Sequence, residues 1–326
     1  MRRRRAALVA VCAITLLSLA QLVALVVHIA SGGEGDRDVA WGEARTPAER
    51  TLEPYTGYGT WVDVYDFLPA MQLPGREPAV TPADVDEMAD AGVRTIYLQA
   101  AREDPHTPGD LVDDRLLGEF LARAHEQGLH VVGWYLPHFG DVERDLAHLA
   151  AIASFEAAGH RFDGVAVDIE WTRSVPDARE RSRRLVDLSR RLREAVGDDH
   201  LGAIVLPPVQ LEDVNRRMWP GFPWEELAAL YDAWLPMGYW TDRTPESGWR
   251  DARAYTEENV ARLRAALGDE GAAVHPIGGV GDAATGEDLA AFAEAVAELD
   301  AVGGSIYDWA TLSAEERAQL AEHFGD

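Results

Sequence analysis

The 326-residue chain carries 56 acidic and 30 basic residues, all of the latter arginine, giving a formal net charge of -26. Such acidity argues against nucleic acid as a partner, because phosphate backbones are bound by basic surfaces. The single cysteine, Cys12, excludes an intramolecular disulfide and a metal site built from several cysteines. The length is sufficient for one large domain with an appendage.

An apolar run covers residues 6–30 and follows four arginines, Arg2 to Arg5. About 20 such residues span a bilayer as a helix, and flanking positive charge stays on the cytoplasmic side. Residues 1–30 are therefore predicted to be a cytoplasmic arginine cluster and a transmembrane signal-anchor helix. This places the chain in the cell membrane as a single-pass protein with its remainder extracytoplasmic. The alternative is a cleaved signal peptide, whose apolar core is usually shorter, about 7–15 residues.

Residues 31–58 are rich in Gly, Glu, Arg and Pro and show no periodicity, which predicts a flexible extracytoplasmic linker. From residue 59 to residue 326, short β-rich segments alternate with helical segments. The predicted strands are 60–67, 94–100, 130–136, 163–170, 201–207, 232–239, 273–279 and 303–309. The predicted helices are 81–91, 111–127, 142–158, 176–196, 223–231, 250–267, 286–299 and 312–323.

This alternation implies parallel βαβ units. Eight such units match a (β/α)8 barrel, so the predicted fold class is α/β, a (β/α)8 TIM barrel over 59–326 preceded by an N-terminal transmembrane helix. The alternative is an open doubly wound sheet. It is disfavoured because no Gly-rich phosphate loop follows the first predicted strand.

The fourth predicted strand, DGVAVDIE, carries Asp168 and Glu170 two residues apart. Residues two apart in a strand share a face, and barrel active sites lie at the C-terminal ends of the strands. Two neighbouring buried carboxylates raise the pKa of at least one of them, and a glutamate with a raised pKa can act as a general acid. The alternative is chance, because acidic residues are abundant in this chain.

The same stretch resembles the strand-four motif of family 18 glycoside hydrolases, the chitinase-like barrels, which reads D-G-x-D-x-D-x-E. Asp163, Gly164, Asp168 and Glu170 match that motif, and Ala166 replaces its middle aspartate. The resemblance implies that Glu170 protonates the glycosidic oxygen. It also implies that Asp168 orients the substrate's 2-acetamido group, which attacks as an internal nucleophile.

Two further segments support this resemblance. Met237-Gly238-Tyr239 is similar to the family's M-x-Y motif, which implies that Tyr239 steadies the reacting acetamido group. The stretch GGSIYDW resembles the family's eighth strand, which ends in an inward tryptophan, here Trp309.

Sugar rings stack on aromatic side chains, and glycan sites combine such rings with a few polar groups. Residues at or just beyond the predicted strand ends are therefore the candidates for substrate binding: Asp63, Gln99, Tyr135, Trp171, Met237, Trp240 and Trp309. The competing interpretation for the aromatic residues is core packing.

The predicted function is a glycoside hydrolase that acts on a cell-envelope or extracellular polysaccharide, preferably N-acetylated. One alternative is a lysozyme-type muramidase that uses Asp63 or Asp66, because family 25 barrels pair a strand-four D-x-E with an aspartate on strand one. Another is a catalytically silent glycan-binding barrel, which Ala166 and Trp240 favour. No cofactor and no metal site are predicted. The expected partners are a glycan and, through residues 6–30, the membrane.

Overall fold

The structure is a computed structural model that describes residues 50–324. Its strands are β1 (Gly57–Val62), β2 (Thr95–Gln99), β3 (His130–Tyr135), β4 (Glu156–Ala157), β5 (His160–Arg161), β6 (Gly164–Ile169), β7 (Leu201–Val205), β8 (Ala233–Pro236), β9 (Ala273–Val274), β10 (Ile277–Val280) and β11 (Gly303–Tyr307). Its α-helices are α1 (Val64–Phe67), α2 (Val85–Asp90), α3 (Asp114–Glu126), α4 (Val142–Ser154), α5 (Ala178–Val196), α6 (Trp224–Leu227), α7 (Ala252–Leu267), α8 (Gly286–Glu298) and α9 (Ala314–Phe324).

Nine strands form one parallel sheet in the order β10-β11-β1-β2-β3-β6-β7-β8-β9, and β4 and β5 form a separate antiparallel hairpin. The two outermost strands of the large sheet, β9 and β10, are consecutive in the chain and are separated by His275 and Pro276. Proline has no N–H to donate to a ladder, so the strand is interrupted there. Beyond the interruption, Met237 forms an isolated parallel bridge to Ile277.

The predicted fold class is wrong in one respect. The sheet is a parallel (β/α) half-barrel of nine strands, not a regular barrel of eight, because the predicted strand 273–279 is divided. No helix among residues 50–324 is long and apolar enough to cross a bilayer. The segment predicted to do so, residues 6–30, lies outside the described residues.

The long helices begin where the chain supplies a capping side chain. Asp113, Asp141, Asp177 and Asp251 each accept a hydrogen bond from a backbone N–H in the first turn of the helix that follows. Such caps satisfy amide groups that have no partner within the helix. Each helix therefore begins within a few residues of its predicted start.

The N-terminal ends of the strands are closed by residues that the sequence analysis placed in the linker. Tyr55 is fully buried and donates its hydroxyl hydrogen to the carbonyl of Val165 at 2.8 Å. A Cβ added at Gly164 or Gly202 would lie within 3 Å of the Tyr55 side chain, so both positions need glycine.

Arg50 anchors the same segment. Its guanidinium lies 2.6 Å from Oδ2 of Asp199, with both side chains almost completely buried, and it also donates to the carbonyls of Phe162 and Ala153. The end of the predicted flexible linker is thus corrected: residues 50–58 belong to the packed domain.

Candidate active site

Strand β6 directs alternate side chains into the sheet's concave interior. Gly164 faces Tyr55, and a Cβ built on Gly202 of the adjacent strand would lie 3.1 Å from Cβ of Ala166. Because side chains alternate along a strand, Asp168 is the next inward residue, and Glu170 follows directly after the strand ends. Both carboxylates therefore lie at the C-terminal end of the strands, which we call the mouth.

Neither carboxylate has a cationic partner in the described part of the chain. Asp168 is 7% exposed, and its Oδ1 makes no hydrogen bond. Burial raises its pKa well above the usual range, and the neighbouring charge of Glu170 raises it further. Burial also raises the pKa of Glu170. Since ionising both groups in a shared low-dielectric site is costly, the pair favours a state that retains a proton.

Tyr239 lies close enough to both carboxylates to feel their charges. Its pKa is raised well above the usual value, first by burial and then by Glu170 and Asp168. Its hydroxyl therefore stays protonated and can donate a hydrogen bond at any ordinary pH. The structure thus brings together the three residues predicted to be catalytic.

Aromatic rings pack beside Tyr239 and extend from it into the interior of the sheet. Tyr307, at the end of β11, has its ring centroid 5.8 Å from that of Tyr239 and 6.4 Å from that of Trp61. Trp61 stacks on Tyr97 at 4.4 Å and donates its indole hydrogen to Ser305. The sequence analysis missed Tyr307, although it lies two residues after Ser305 and so shares that residue's inward face.

Three further carboxylates form a second group at the mouth, which we call the aspartate group: Asp63, Asp66 and Asp308. They have oxygen atoms within 4.8 Å of one another. Burial and then the charge of Asp63 raise the pKa of Asp66 to about 8 and that of Asp308 to about 6. Carboxylate oxygens are the ligands that Mg²⁺, Ca²⁺ and Mn²⁺ prefer, so this group has the chemistry to hold such an ion.

The aspartate group also carries internal hydrogen bonds. Asp63 accepts from Tyr65 N and from the hydroxyl of Tyr307. Asp66 accepts from Asp63 N, and Asp308 accepts from Thr311 N. These bonds fix the loops that follow β1 and β11.

Of the residues predicted to bind substrate, Trp171 and Asp63 are partly exposed at the mouth. The Trp171 indole stacks on His138, with ring centroids 4.4 Å apart and planes 17° apart. Its Nε1 donates to Ser174 Oγ at 2.8 Å, which fixes the orientation of the ring.

Met237 and Gln99 lie deeper. Met237 is 5% exposed and pairs with Ile277. Gln99 is 2% exposed, and its Oε1 accepts a hydrogen bond from Val64 N. Gln99 therefore supports the loop that follows β1.

The structure does not bring Tyr135, Trp240 and Trp309 to the site, and their predicted role in substrate binding is corrected. Tyr135 is fully buried and donates its hydroxyl hydrogen to Asp145. Trp240 is fully buried against Gly278 and Gly279, where added Cβ atoms would meet its ring. Trp309 is 2% exposed under the guanidinium of Arg317, which lies 3.7 Å from the ring centroid.

A cavity of about 590 Å³ lies elsewhere. It is lined by residues of α5, including Arg179, Arg183 and Arg190, and by the segment around Pro220 and Pro223. None of the mouth residues lines it.

No family model matches the sequence, and no curated protein is similar to it. Solved structures are similar in fold. A chitinase from Chromobacterium violaceum ATCC 12472 has a TM-score of 0.53 and 12% identity, with 83% of this chain and 99% of that chain covered. A class V chitinase from Nicotiana tobaccum has a TM-score of 0.56 and 9% identity, with coverage of 83% and 99%.

An endo-1,4-beta-mannanase from Rhizomucor miehei has a TM-score of 0.57 and 9% identity, with 83% of this chain and 94% of that chain covered. At these identities the likeness shows the fold alone. The chain has the TIM-barrel-like fold of glycoside hydrolases, and the resemblance to chitinase-like barrels is confirmed at that level.

Proposed function

We propose that the chain is a glycoside hydrolase that cleaves an N-acetylated polysaccharide outside the cytoplasm, with Glu170 as its general acid. The observation that carries this proposal is the pairing of Asp168 and Glu170 at the mouth beside Tyr239, with raised pKa values and no arginine or histidine among residues 50–324 to neutralise them. Stability alone does not account for it, because burying carboxylates without a partner is costly. The fold shared with chitinases is consistent with the same chemistry.

In this mechanism Glu170 donates its proton to the glycosidic oxygen while the bond from that oxygen to the anomeric carbon breaks. The carbonyl oxygen of the substrate's own acetamido group forms a bond to the anomeric carbon from the opposite face. The Glu170 carboxylate then takes a proton from a water molecule. The water oxygen forms a bond to the anomeric carbon while the bond from the acetamido oxygen to that carbon breaks, which releases the product with its acetamido group restored. The raised pKa of Glu170 favours its protonated form, which is the form that a general acid needs.

Asp168 and Tyr239 act on the acetamido group. The unpartnered Oδ1 of Asp168 is free to accept the acetamido N–H, which orients the nucleophilic oxygen. The Tyr239 hydroxyl donates to that oxygen and restrains it. With Ala166 in place of a further acid, Glu170 is the neighbouring charge that raises the pKa of Asp168.

The second candidate is a muramidase that uses Asp63. Asp63 lies at the same mouth and accepts the Tyr307 hydroxyl hydrogen, and the Tyr307 ring lies 5.8 Å from that of Tyr239. In this mechanism Asp63, and not the substrate's acetamido group, assists the departure of the leaving group. The two candidates therefore predict different effects for Asp63→Asn.

The test uses the full chain with chitooligosaccharides and with peptidoglycan fragments, and measures new reducing ends. We expect cleavage that Glu170→Gln abolishes and that survives both Asp63→Asn and Glu225→Gln, an exposed matched control. Release of muropeptides by the wild-type chain, together with loss of that activity in Asp63→Asn, supports the muramidase. Binding without cleavage of either substrate would contradict the hydrolase and favour a silent glycan-binding barrel.

A further inference from the structure

A pair of histidines lies near the N-terminal end of β6, the end opposite to the mouth. His125 lies near the C-terminal end of α3 and His160 in the hairpin strand β5, and their Nδ1 atoms are 2.8 Å apart. We propose that these two nitrogens form a binding site for a divalent transition-metal ion of the Zn²⁺ class. The adjacent Asp163 is seven residues before Glu170, about 20 Å away along an extended strand, so this site is separate from the mouth.

The donor state of His125 is set by a carboxylate. Its Nε2 lies 3.0 Å from Oδ2 of Asp163, and the same oxygen accepts from Val131 N at 2.8 Å. This oxygen of Asp163, which also holds the hydrogen of Val131 N, therefore accepts the Nε2 hydrogen of His125.

A neutral His125 that donates from Nε2 carries its lone pair on Nδ1, and that atom faces His160. An imidazole that ligates a metal through one nitrogen while donating from the other to a carboxylate is the common arrangement at histidine-rich metal sites. The carboxylate orients the ring and makes its free nitrogen more basic. Asp163 supplies this support to His125, so the first ligand is already oriented.

His160 provides the second nitrogen after its ring reorients. The ring centroids are 5.0 Å apart and the two Nδ1 atoms 2.8 Å apart, so these nitrogens now face each other almost head-on. Two ligands of a tetrahedral ion meet at about 110° and lie about 3.3 Å apart, so the His160 ring must turn by about 70° as the nitrogens separate. His160 is partly exposed and belongs to a two-residue strand next to Gly159, outside the packed core. Water completes the coordination.

The protonation states of the two imidazole rings are compatible with binding of the ion. Without the ion, His160 donates its Nδ1 hydrogen to the lone pair of His125. With the ion bound, a neutral His160 carries that hydrogen on Nε2, and both Nδ1 lone pairs bind the metal. The bound ion links the hairpin to α3 and stabilises the folded state by mass action.

The test is calorimetric titration of the metal-stripped full chain with ZnCl2, with the melting temperature as a second readout. We expect a site of one ion per chain, a higher melting temperature with Zn²⁺, and affinity at least about tenfold weaker in His160→Gln. His106→Gln is the matched control, because His106 also pairs with an aspartate, Asp104 at 2.8 Å, but has no neighbouring histidine in the described structure.

Absence of saturable Zn²⁺ binding by the wild-type chain would overturn the proposal, and so would undiminished binding in His160→Gln. Binding that His160→Gln retains but Asp308→Asn loses would assign the ion to the aspartate group instead. His125→Gln can be unstable because Asp163 loses its donor. In that case His160→Gln alone decides the outcome, since no hydrogen bond joins His160 to Asp163 among the described residues.

Discussion

The hydroxyl of Tyr307 donates a hydrogen bond to Oδ2 of Asp63, which joins the end of the last strand of the sheet to the loop after the first. The same tyrosine ring lies 5.8 Å from that of Tyr239. Tyr307 is therefore held between the aspartate group on one side and Tyr239 on the other. The position of the Tyr307 ring therefore depends on the hydrogen bond that its hydroxyl group donates to Asp63.

Removing that oxygen should destabilise the fold. A hydrogen bond to a charged group contributes about 1.5–3 kcal/mol, so we expect Tyr307→Phe to lower the free energy of unfolding by about that amount in a urea titration. The control is Tyr65→Phe, whose hydroxyl accepts from Arg102 at 2.6 Å on the surface. Surface changes usually stay within about 0.5 kcal/mol. Equal losses in the two variants would contradict the structural role of the Tyr307 bond.

The ion pair of Arg50 and Asp199, at the N-terminal ends of the strands, should contribute strongly to the free energy of unfolding. Removing one partner of a buried pair costs about 3–5 kcal/mol, because the other charge stays buried, so we expect Arg50→Ala to lose about that much. Arg183→Ala removes one partner of an exposed pair with Glu180 and should cost less than about 1 kcal/mol. Urea unfolding of both variants checks the prediction. An Arg50→Ala loss no larger than the control's would show that residues 50–56 are not anchored.

The aspartate group should make stability depend on pH. The pKa of Asp66 is raised to about 8 in the folded state, so the folded chain binds the proton more tightly than the unfolded chain. Stability from this group is complete below the unfolded pKa, near 4, and is lost as pH rises towards 8, with a slope of at most about 1.4 kcal/mol per pH unit.

Asp66→Asn should make this slope shallower, because the amide carries no charge at any pH while its oxygen can still accept from Asp63 N. A slope of the same sign remains, because Asp308, Asp168 and Glu170 also have raised pKa values. Unfolding free energies measured at pH 5, 6.5 and 8 for both proteins provide the comparison. A variant slope as steep as that of the wild type would contradict the raised pKa of Asp66.

Trp171 and Trp240 each follow directly after a predicted strand, but their replacement should have different effects. Trp171 is partly exposed at the mouth, so Trp171→Ala should weaken glycan binding by about 0.5–1.5 kcal/mol, about twofold to thirteenfold, with little effect on unfolding. Trp240 is fully buried, so Trp240→Ala should cost about 3–5 kcal/mol of stability. Calorimetric binding and urea unfolding of both variants separate the roles. If neither variant binds the glycan more weakly than the wild type, Trp171 is not part of the substrate site.

The inward direction of Asp168 could be predicted from sequence because side-chain alternation holds within a strand, and β6 is regular from Gly164 to Ile169. The same argument failed for Trp240 and Trp309. Strands β8 and β11 end at Pro236 and Tyr307, and the chain then turns into short 3-10 helices, where a period of two no longer applies.

Two contacts that were not predicted from the sequence join distant segments. Asp66 and Asp308 meet because β1 and β11 are adjacent in the sheet. His125 and His160 meet because the hairpin folds back on α3, although 35 residues separate them. Neither contact leaves a spacing pattern in the sequence.

The most direct measurement is the initial rate of glycosidic cleavage by the full-length wild-type chain and by Glu170→Gln, with substrate affinity measured on both. General acid catalysis contributes about a hundredfold to ten-thousandfold, so Glu170→Gln should retain at most about 1% of the wild-type rate and bind the oligosaccharide with affinity within about threefold. A variant that still cleaves at half the wild-type rate would contradict the assignment of Glu170 as the proton donor.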